Sequence, residues 1–175
     1  AFGEMQQWDE SIYALRTQCL LRFGDVWDQS PHMLSGLSYA EEPPLSVWLS
    51  AASVLLFDDI LWAYRLPAAL AGAVLVLLLY RFAREHLPPG HALVAAALFA
   101  FSPLPVFFSR QAQPDILLAL CMLAALRWAV RAVRSGRYRN AVAAGLALGA
   151  GLLAKSGIAL VLPVAIAIAA AGFSA

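Results

Sequence analysis

Five long stretches without a charged residue dominate the second half of this 175-residue chain and limit how it can fold. They cover residues 66–80, 92–109, 116–126, 140–154 and 156–175. A helix of about 20 apolar residues crosses a bilayer, and shorter stretches reach that length when flanking Arg side chains extend to the membrane surface. Here the flanking arginines are Arg65, Arg81, Arg127 and Arg131. Helices of soluble domains keep a polar face, which these stretches lack. The sequence therefore predicts an all-α, polytopic membrane helix bundle with five transmembrane helices in residues 65–175, rather than a buried soluble bundle.

The charged residues divide the chain into two parts of opposite sign. Residues 1–64 contain nine acids and two bases, whereas residues 65–175 contain ten bases and two acids. Arginines crowd the loops after the first and third apolar stretches, and loops rich in Lys and Arg face the cytoplasm. We therefore expect a bacterial inner (plasma) membrane protein with residues 1–64 on its outer side. Because that segment must be carried across the bilayer, we also expect an upstream span and a longer protein.

The outer segment is predicted to be a loop with two interfacial helices. The first helix follows Asp9-Glu10 and covers residues 11–23. Its apolar positions, which we expect at the membrane surface, are Ile12, Leu15, Cys19 and Phe23. The second helix follows Pro44 and ends before Asp58-Asp59, and its 13 to 14 apolar residues are too few to span a membrane.

Four carboxylates at the predicted outer face are candidates for catalysis or metal binding. Asp9 and Glu10 begin the first helix, where a carboxylate could act as a general base or hold a divalent cation. Acids at that position also simply stabilise a helix N-terminus. Asp115 begins the third predicted span and has the same two explanations. Glu41 could complete a metal site with Asp9 and Glu10, although a solvated acidic loop also explains it.

Two basic residues at the same face could bind an anionic group. Arg110 could hold a phosphate through its guanidinium fork, and Lys155 could meet a lipid phosphate. Each side chain could instead extend into lipid headgroups or mark a loop. The sequence has no Gly-rich phosphate loop, no His-Glu zinc helix and no Ser-His-Asp spacing.

The order of several motifs is more informative than any one of them. The motifs are Trp8-Asp9-Glu10, residues 34–49 with Glu41-Glu42-Pro43-Pro44, Tyr64-Arg65-Leu66-Pro67, Ser109-Arg110, Pro114-Asp115, and residues 151–157 with Lys155. In this order the chain resembles the N-terminal part of the protein O-mannosyltransferases and aminoarabinose transferases. These are membrane glycosyltransferases of the GT-C fold, so the resemblance implies a GT-C-like bundle.

The resemblance implies transfer of a sugar from a polyprenyl-phosphate donor to an acceptor hydroxyl or phosphate at the outer membrane face, with inversion at the anomeric carbon. The implied partners are the lipid-linked donor, membrane lipids and an acceptor protein or glycolipid, with no nucleic acid. Asp9 matches the proposed catalytic carboxylate of the family, and Asp115 matches a second essential acid near the sugar. A leaving lipid phosphate needs positive charge nearby. For donor and phosphate binding the sequence offers Glu10, Arg65, Arg110 and Lys155.

One position departs from the aminoarabinose transferases, which have Glu-Lys before Pro-Pro. Glu41 matches their Glu, which helps to bind zinc there, but Glu42 replaces the Lys that meets the lipid phosphate. Because a carboxylate repels a phosphate, another base or a divalent metal ion must substitute for that Lys. We do not predict zinc, and a divalent metal ion is the one cofactor considered.

Two other classes of function stay open from the sequence alone. A transporter or flippase for a lipid-linked substrate predicts broken helices or ionisable residues near mid-membrane. Pro103, Pro105 and Pro163 do interrupt predicted spans, but the acids lie at the outer interface. An inactive assembly subunit of the same fold would explain Glu42.

Overall fold

The computed structural model describes residues 9–27 and 43–155, and within these ranges all regular structure is α-helical. In chain order the helices are α1 (Asp9–Phe23), α2 (Leu45–Phe57), α3 (Leu61–Arg84), α4 (Pro89–Phe101), α5 (Pro103–Ser109), α6 (Asp115–Ser135) and α7 (Tyr138–Ala154). The predicted all-α class is confirmed. Helix α3 begins at Leu61, so the predicted boundary after residue 64 falls within its first turns. The division into an outer and a membrane segment stays a prediction.

Helices α3 and α6, of 24 and 21 residues, are long and apolar enough to cross a membrane. Helices α4 and α5 make a third candidate span that is bent by 60°. The bend falls at Ser102, because the residue before a proline is pushed out of helical geometry and Pro103 has no N–H to donate. The fourth apolar stretch forms α7, of 17 residues. The fifth, residues 156–175, lies outside the described residues.

Helix α3 is central, since it packs against α2, α4, α5 and α6. Small residues allow these close approaches. At Gly72 a Cβ atom would lie 2.2 Å from Ser109 Oγ and 2.9 Å from Ser109 Cβ, so α5 can approach α3 only beside a glycine. Helices α6 and α7 form an antiparallel hairpin, and Gly136 ends α6 in the left-handed conformation that favours glycine.

Helix α1 packs on the bundle through a face that its apolar residues do not mark. The buried positions Glu10, Ala14 and Thr17 recur at helical spacing, and Arg16 is buried beside them. Phe23, by contrast, is exposed, and Ile12 and Cys19 are only partly buried. The apolar stripe is therefore only partly buried, and its membrane position stays a prediction.

The end of the bundle where α3 finishes is closed by an ionic cluster. Glu85 accepts hydrogen bonds from Arg127 Nε at 2.7 Å and from Arg131 Nη2 at 2.8 Å. Sequence analysis predicted that these two arginines extend to the membrane surface, but α6 instead directs both at α3. Partial burial alone would raise the pKa of Glu85, but the hydrogen bonds from Arg131 and Arg127 outweigh it and hold the pKa below its usual value.

Candidate active site

Glu10, in the first turn of α1, is fully buried and paired with Arg65 of α3. Arg65 Nε donates to Glu10 Oε1 at 2.6 Å, and Arg65 Nη2 donates to Oε2 at 2.8 Å. The backbone N–H of Ala112 also donates to Oε1, at 3.0 Å. A buried carboxylate is tolerated only when its charge is paired and its oxygens accept hydrogen bonds. Glu10 therefore joins three parts of the chain: α1, α3 and the loop before α6.

Arg65 was predicted to extend to the membrane surface or to bind the donor phosphate. Its side chain is 14% exposed and makes a two-pronged contact with the Glu10 carboxylate, the strongest geometry available to an arginine. Its positive charge is therefore compensated within the protein.

Tyr64, the residue before Arg65, holds α1 at a second point. The buried tyrosine donates its hydroxyl hydrogen bond to the Asp59 carboxylate and accepts one from Gln18 Nε2 at 3.3 Å. It also packs with Ala14 and Ala112 in a small apolar cluster. The position of Asp9 at the start of α1 is therefore set by two consecutive residues of α3.

The loop between α5 and α6 is anchored rather than loose. Gln111, Ala112 and Pro114 are buried. Arg110 is exposed, and within residues 9–27 and 43–155 no carboxylate pairs with its guanidinium. Among the basic residues predicted for the site, Arg110 is therefore the one whose charge no carboxylate of these ranges compensates.

Asp115, the first residue of α6, is paired with Lys155 directly after α7. Lys155 Nζ lies 2.5 Å from Asp115 Oδ1, and the two side chains are 36% and 29% exposed, respectively. The pair joins α6 to α7 where both reach the same end of the bundle. Because both side chains are partly solvated, the pair can exchange partners with a bound anion at lower cost than the buried Glu10 pair.

The predicted site residues thus form two ionic pairs linked by the loop of residues 110–114. Asp9 is exposed beside the buried Glu10, so the two neighbouring acids have different environments. Sequence analysis missed Tyr64, Gln18 and Ala112. No local signal marks a backbone N–H such as that of Ala112 as a hydrogen-bond donor to an acid that is 102 residues away.

Of the proposed metal ligands Asp9, Glu10 and Glu41, the structure describes only the first two. Both oxygens of Glu10 already accept hydrogen bonds from Arg65. Glu41 and the neighbouring Glu42 lie outside the described residues. Within those residues no group of three or more His, Cys, Asp or Glu side chains is placed to hold a metal ion. Metal dependence stays a prediction, and no chemical step below uses a metal.

Two cavities lie near these pairs and share two lining residues. A small one of about 10 Å³ is lined by polar groups that include Ser46, Ser50 and Gln113. An apolar groove of about 490 Å³ runs between α2, α3 and α6. Pro67 and Leu117 line both cavities, and Leu117 lies two residues after Asp115. The apolar groove therefore reaches the part of α3 and α6 that adjoins the two ionic pairs.

Comparison with known proteins places these features in context. Residues 41–173 match the family described as dolichyl-phosphate-mannose-protein mannosyltransferase. An undecaprenyl phosphate-alpha-4-amino-4-deoxy-L-arabinose arabinosyl transferase of Pseudomonas aeruginosa is 36% identical over 165 residues, which cover 91% of this chain and 30% of that protein. The putative mannosyltransferase YycA of Bacillus subtilis is 33% identical over 103 residues, covering 59% of this chain and 15% of that protein.

A solved structure has the same fold. The apo crystal structure of ArnT from Cupriavidus metallidurans superposes with a TM-score of 0.84 and 22% sequence identity, covering 95% of this chain and 31% of that chain. At this identity the likeness concerns the fold. The chain spans less than a third of the length of these relatives.

Proposed function

This chain belongs to the dolichyl-phosphate-mannose-protein mannosyltransferase family, and on that basis we propose that the protein transfers a sugar from a polyprenyl-phosphate-linked donor to an acceptor hydroxyl or phosphate. The resemblance predicted from the order of the motifs is confirmed by this membership. The name of one relative specifies an undecaprenyl phosphate-linked aminoarabinose donor, and the names of others specify mannosyl transfer. The class of donor is therefore supported, while a hexose and a pentose are both compatible with it.

The position of the apolar groove, whose lining residues Leu66 and Leu117 adjoin Arg65 and Asp115, is the observation that carries this proposal. A polyprenyl-phosphate sugar has a charged, hydroxyl-rich head and a long hydrocarbon tail. The groove can hold the hydrocarbon tail, while the head lies at the end of α3 and α6 that carries the ionic pairs. Leu66, Leu70 and Val74 of α3 line the groove along its length.

Arg110 is the residue to which we assign the donor phosphate. Charge near the leaving phosphate lowers the barrier only if it is free to interact more strongly as the bond breaks. The Arg65 charge is committed to Glu10, whereas Arg110 is exposed and has no carboxylate partner within the described residues. Lys155 can contribute a second positive charge when its side chain moves from Asp115 toward the phosphate.

Asp9 is the proposed general base. It takes the proton from the acceptor hydroxyl, whose oxygen then attacks the anomeric carbon of the sugar. The bond between that carbon and the phosphate oxygen breaks, and the lipid phosphate leaves with the bonding electrons. A single displacement of this kind inverts the configuration at the anomeric carbon. Glu10 cannot replace Asp9, because its carboxylate is buried and bound to Arg65.

The reaction is placed at the outer face of a bacterial inner membrane. Supporting this placement, Glu10, Arg65, Asp115 and Lys155 lie at one end of the bundle, opposite the end that carries Arg127 and the other loop arginines. Loops rich in arginine face the cytoplasm, so the ionic pairs face outward. An acceptor protein and a glycolipid both fit this placement.

The test is transfer of labelled sugar from a panel of polyprenyl-phosphate donors into membrane acceptors by the full-length protein. We expect Asp9→Asn to abolish transfer and Asp25→Asn to preserve it, because Asp25 is a matched exposed acid just beyond α1. If sugar transfer persists in Asp9→Asn, Asp9 is not the general base. If no donor reacts while the protein is inserted and folded, the enzyme assignment fails and an inactive subunit is favoured.

A transporter for a lipid-linked substrate is the second candidate, and the bent pair α4 and α5 favours it. Broken spans are typical of transporter sites, and this one bends by 60°. Movement of a labelled polyprenyl-phosphate sugar across vesicles that contain the protein, without sugar transfer, would establish it. The lack of such movement together with sugar transfer would rule it out.

A further inference from the structure

The end of the bundle opposite the candidate site carries an unusual excess of positive charge. We call this surface the arginine collar, and its members are Arg81, Arg84, Arg127, Arg131, Arg134, Arg137 and Arg139. Glu85 is the one acid that the described residues place at this end. The seven arginines come from three helices and one turn, so only the packing of α3, α6 and α7 makes them one surface.

Glu85 organises the centre of the arginine collar without neutralising it. Its carboxylate is shared by Arg127 and Arg131, so one unit of positive charge remains on this cluster. Both guanidinium groups also lie over the ring of Trp128, at 5.7 and 5.3 Å from its centroid. The two arginines are thus held in place, and Arg131 keeps 38% of its side chain exposed.

The turn between α6 and α7 adds the outer part of the collar. Gly136 reverses the chain, and Asn140 Nδ2 donates to Ser135 Oγ at 2.8 Å, which fastens the turn. Arg134, Arg137 and Arg139 around this turn are all exposed, as are Arg81 and Arg84 at the end of α3. Tyr138, 77% exposed, lies among them and is suited to the interface between hydrocarbon and headgroups.

We propose that the arginine collar binds the headgroups of anionic phospholipids in the adjacent leaflet. The collar lies at the ends of α3 and α6, the two helices long enough to span, so it lies at headgroup depth when they do. Guanidinium groups hold phosphate oxygens in pairs and are easily desolvated, which suits phosphodiesters. Charge complementarity favours a headgroup with net negative charge, such as phosphatidylglycerol, over a zwitterionic one. This inference does not depend on the proposed sugar transfer.

The experiment measures lipid retention by native mass spectrometry of the full-length protein. The protein is titrated with phosphatidylglycerol and, separately, with phosphatidylcholine of the same acyl chains. We expect tighter retention of phosphatidylglycerol and a loss of that preference when Arg134, Arg137 and Arg139 are replaced by Gln. With a contribution of roughly five-fold in affinity for each arginine, the triple variant loses on the order of 100-fold.

Matched variants separate a specific surface from a general effect of charge. The single variant Arg137→Gln is compared with Arg22→Gln, which removes the same charge from an exposed site on α1 at the opposite end. The triple variant keeps Arg127, Arg131 and Glu85, so the contact between α3 and α6 is preserved, and its helicity is checked by circular dichroism. Equal retention of the two lipids by the unmodified protein overturns the proposal. So does undiminished phosphatidylglycerol retention by the triple variant.

Discussion

The buried pair between Glu10 and Arg65 predicts that one substitution will rescue another. Arg65→Met removes the guanidinium and leaves the Glu10 carboxylate fully buried without its cation. Removing one partner of a buried pair costs about 3–5 kcal/mol, and the complete burial of Glu10 places this variant within that range. Glu10→Gln is milder, at about 2 kcal/mol, because the Gln oxygen still accepts from Ala112 N–H and Arg65 is 14% exposed.

The double variant is expected to be more stable than Arg65→Met alone. With Gln at position 10 and Met at position 65 neither charge of this pair remains, and the hydrogen bond from Ala112 is kept. The expected coupling between the two substitutions is about 3 kcal/mol in the stabilising direction. The assay is reversible unfolding in mixed micelles, followed by fluorescence of the five tryptophans. Arg22→Met, on the exposed side of α1, should change the free energy of unfolding by less than about 0.5 kcal/mol.

Additive costs would refute this reasoning. If the double variant loses as much free energy of unfolding as the two single variants together, the carboxylate and the guanidinium do not stabilise each other. Hydrogen exchange provides a local measurement, because amides near Asp9 should exchange faster in Arg65→Met and recover in the double variant. Unchanged exchange at α1 would show that the pair does not hold this helix in place.

Three further outcomes are expected. Gly72→Ala destabilises the bundle by about 1–3 kcal/mol because its Cβ meets Ser109, and Ser109→Gly added to it restores most of the loss in the same unfolding assay. The lowered pKa of Glu85 means that its ion pairs stabilise the protein above about pH 4.3, the pKa of an unfolded Glu. That stability is lost as the pH falls through the lower folded pKa, so a pH series of unfolding midpoints should show a loss that Glu85→Gln lacks. Arg110→Gln should lower kcat/KM for the lipid-linked donor by about 10- to 100-fold and leave the free energy of unfolding unchanged. If kcat/KM equals that of the unmodified protein, Arg110 does not bind the donor.

The positions of the helices follow largely from local sequence. Apolar stretches without charge predict α3 and α6, and the break before Pro103 is visible as a proline that cannot continue a helix. Helices α1 and α2 were also predicted, with α2 ending before Asp58 as expected. These features can be predicted because hydropathy and proline stereochemistry act on neighbouring residues.

The partners of the charged residues were decided by the tertiary structure alone. The sequence predicted acids and bases at one face, but Asp9 and Glu10 are adjacent and chemically alike. Only the packing of α1 on the bundle makes Glu10 buried and leaves Asp9 exposed. Arg65 and Arg127 were expected to extend to the membrane surface, and both bind carboxylates that lie more than 40 residues away in sequence.

Composition and periodicity thus determined that this chain is a helical membrane protein. They could not determine which cation stays available for a substrate, because that depends on which carboxylate comes within hydrogen-bonding distance when the helices pack. Burial makes pairing obligatory for Glu10, whereas partial solvation leaves the Asp115 pair exchangeable and Arg110 available.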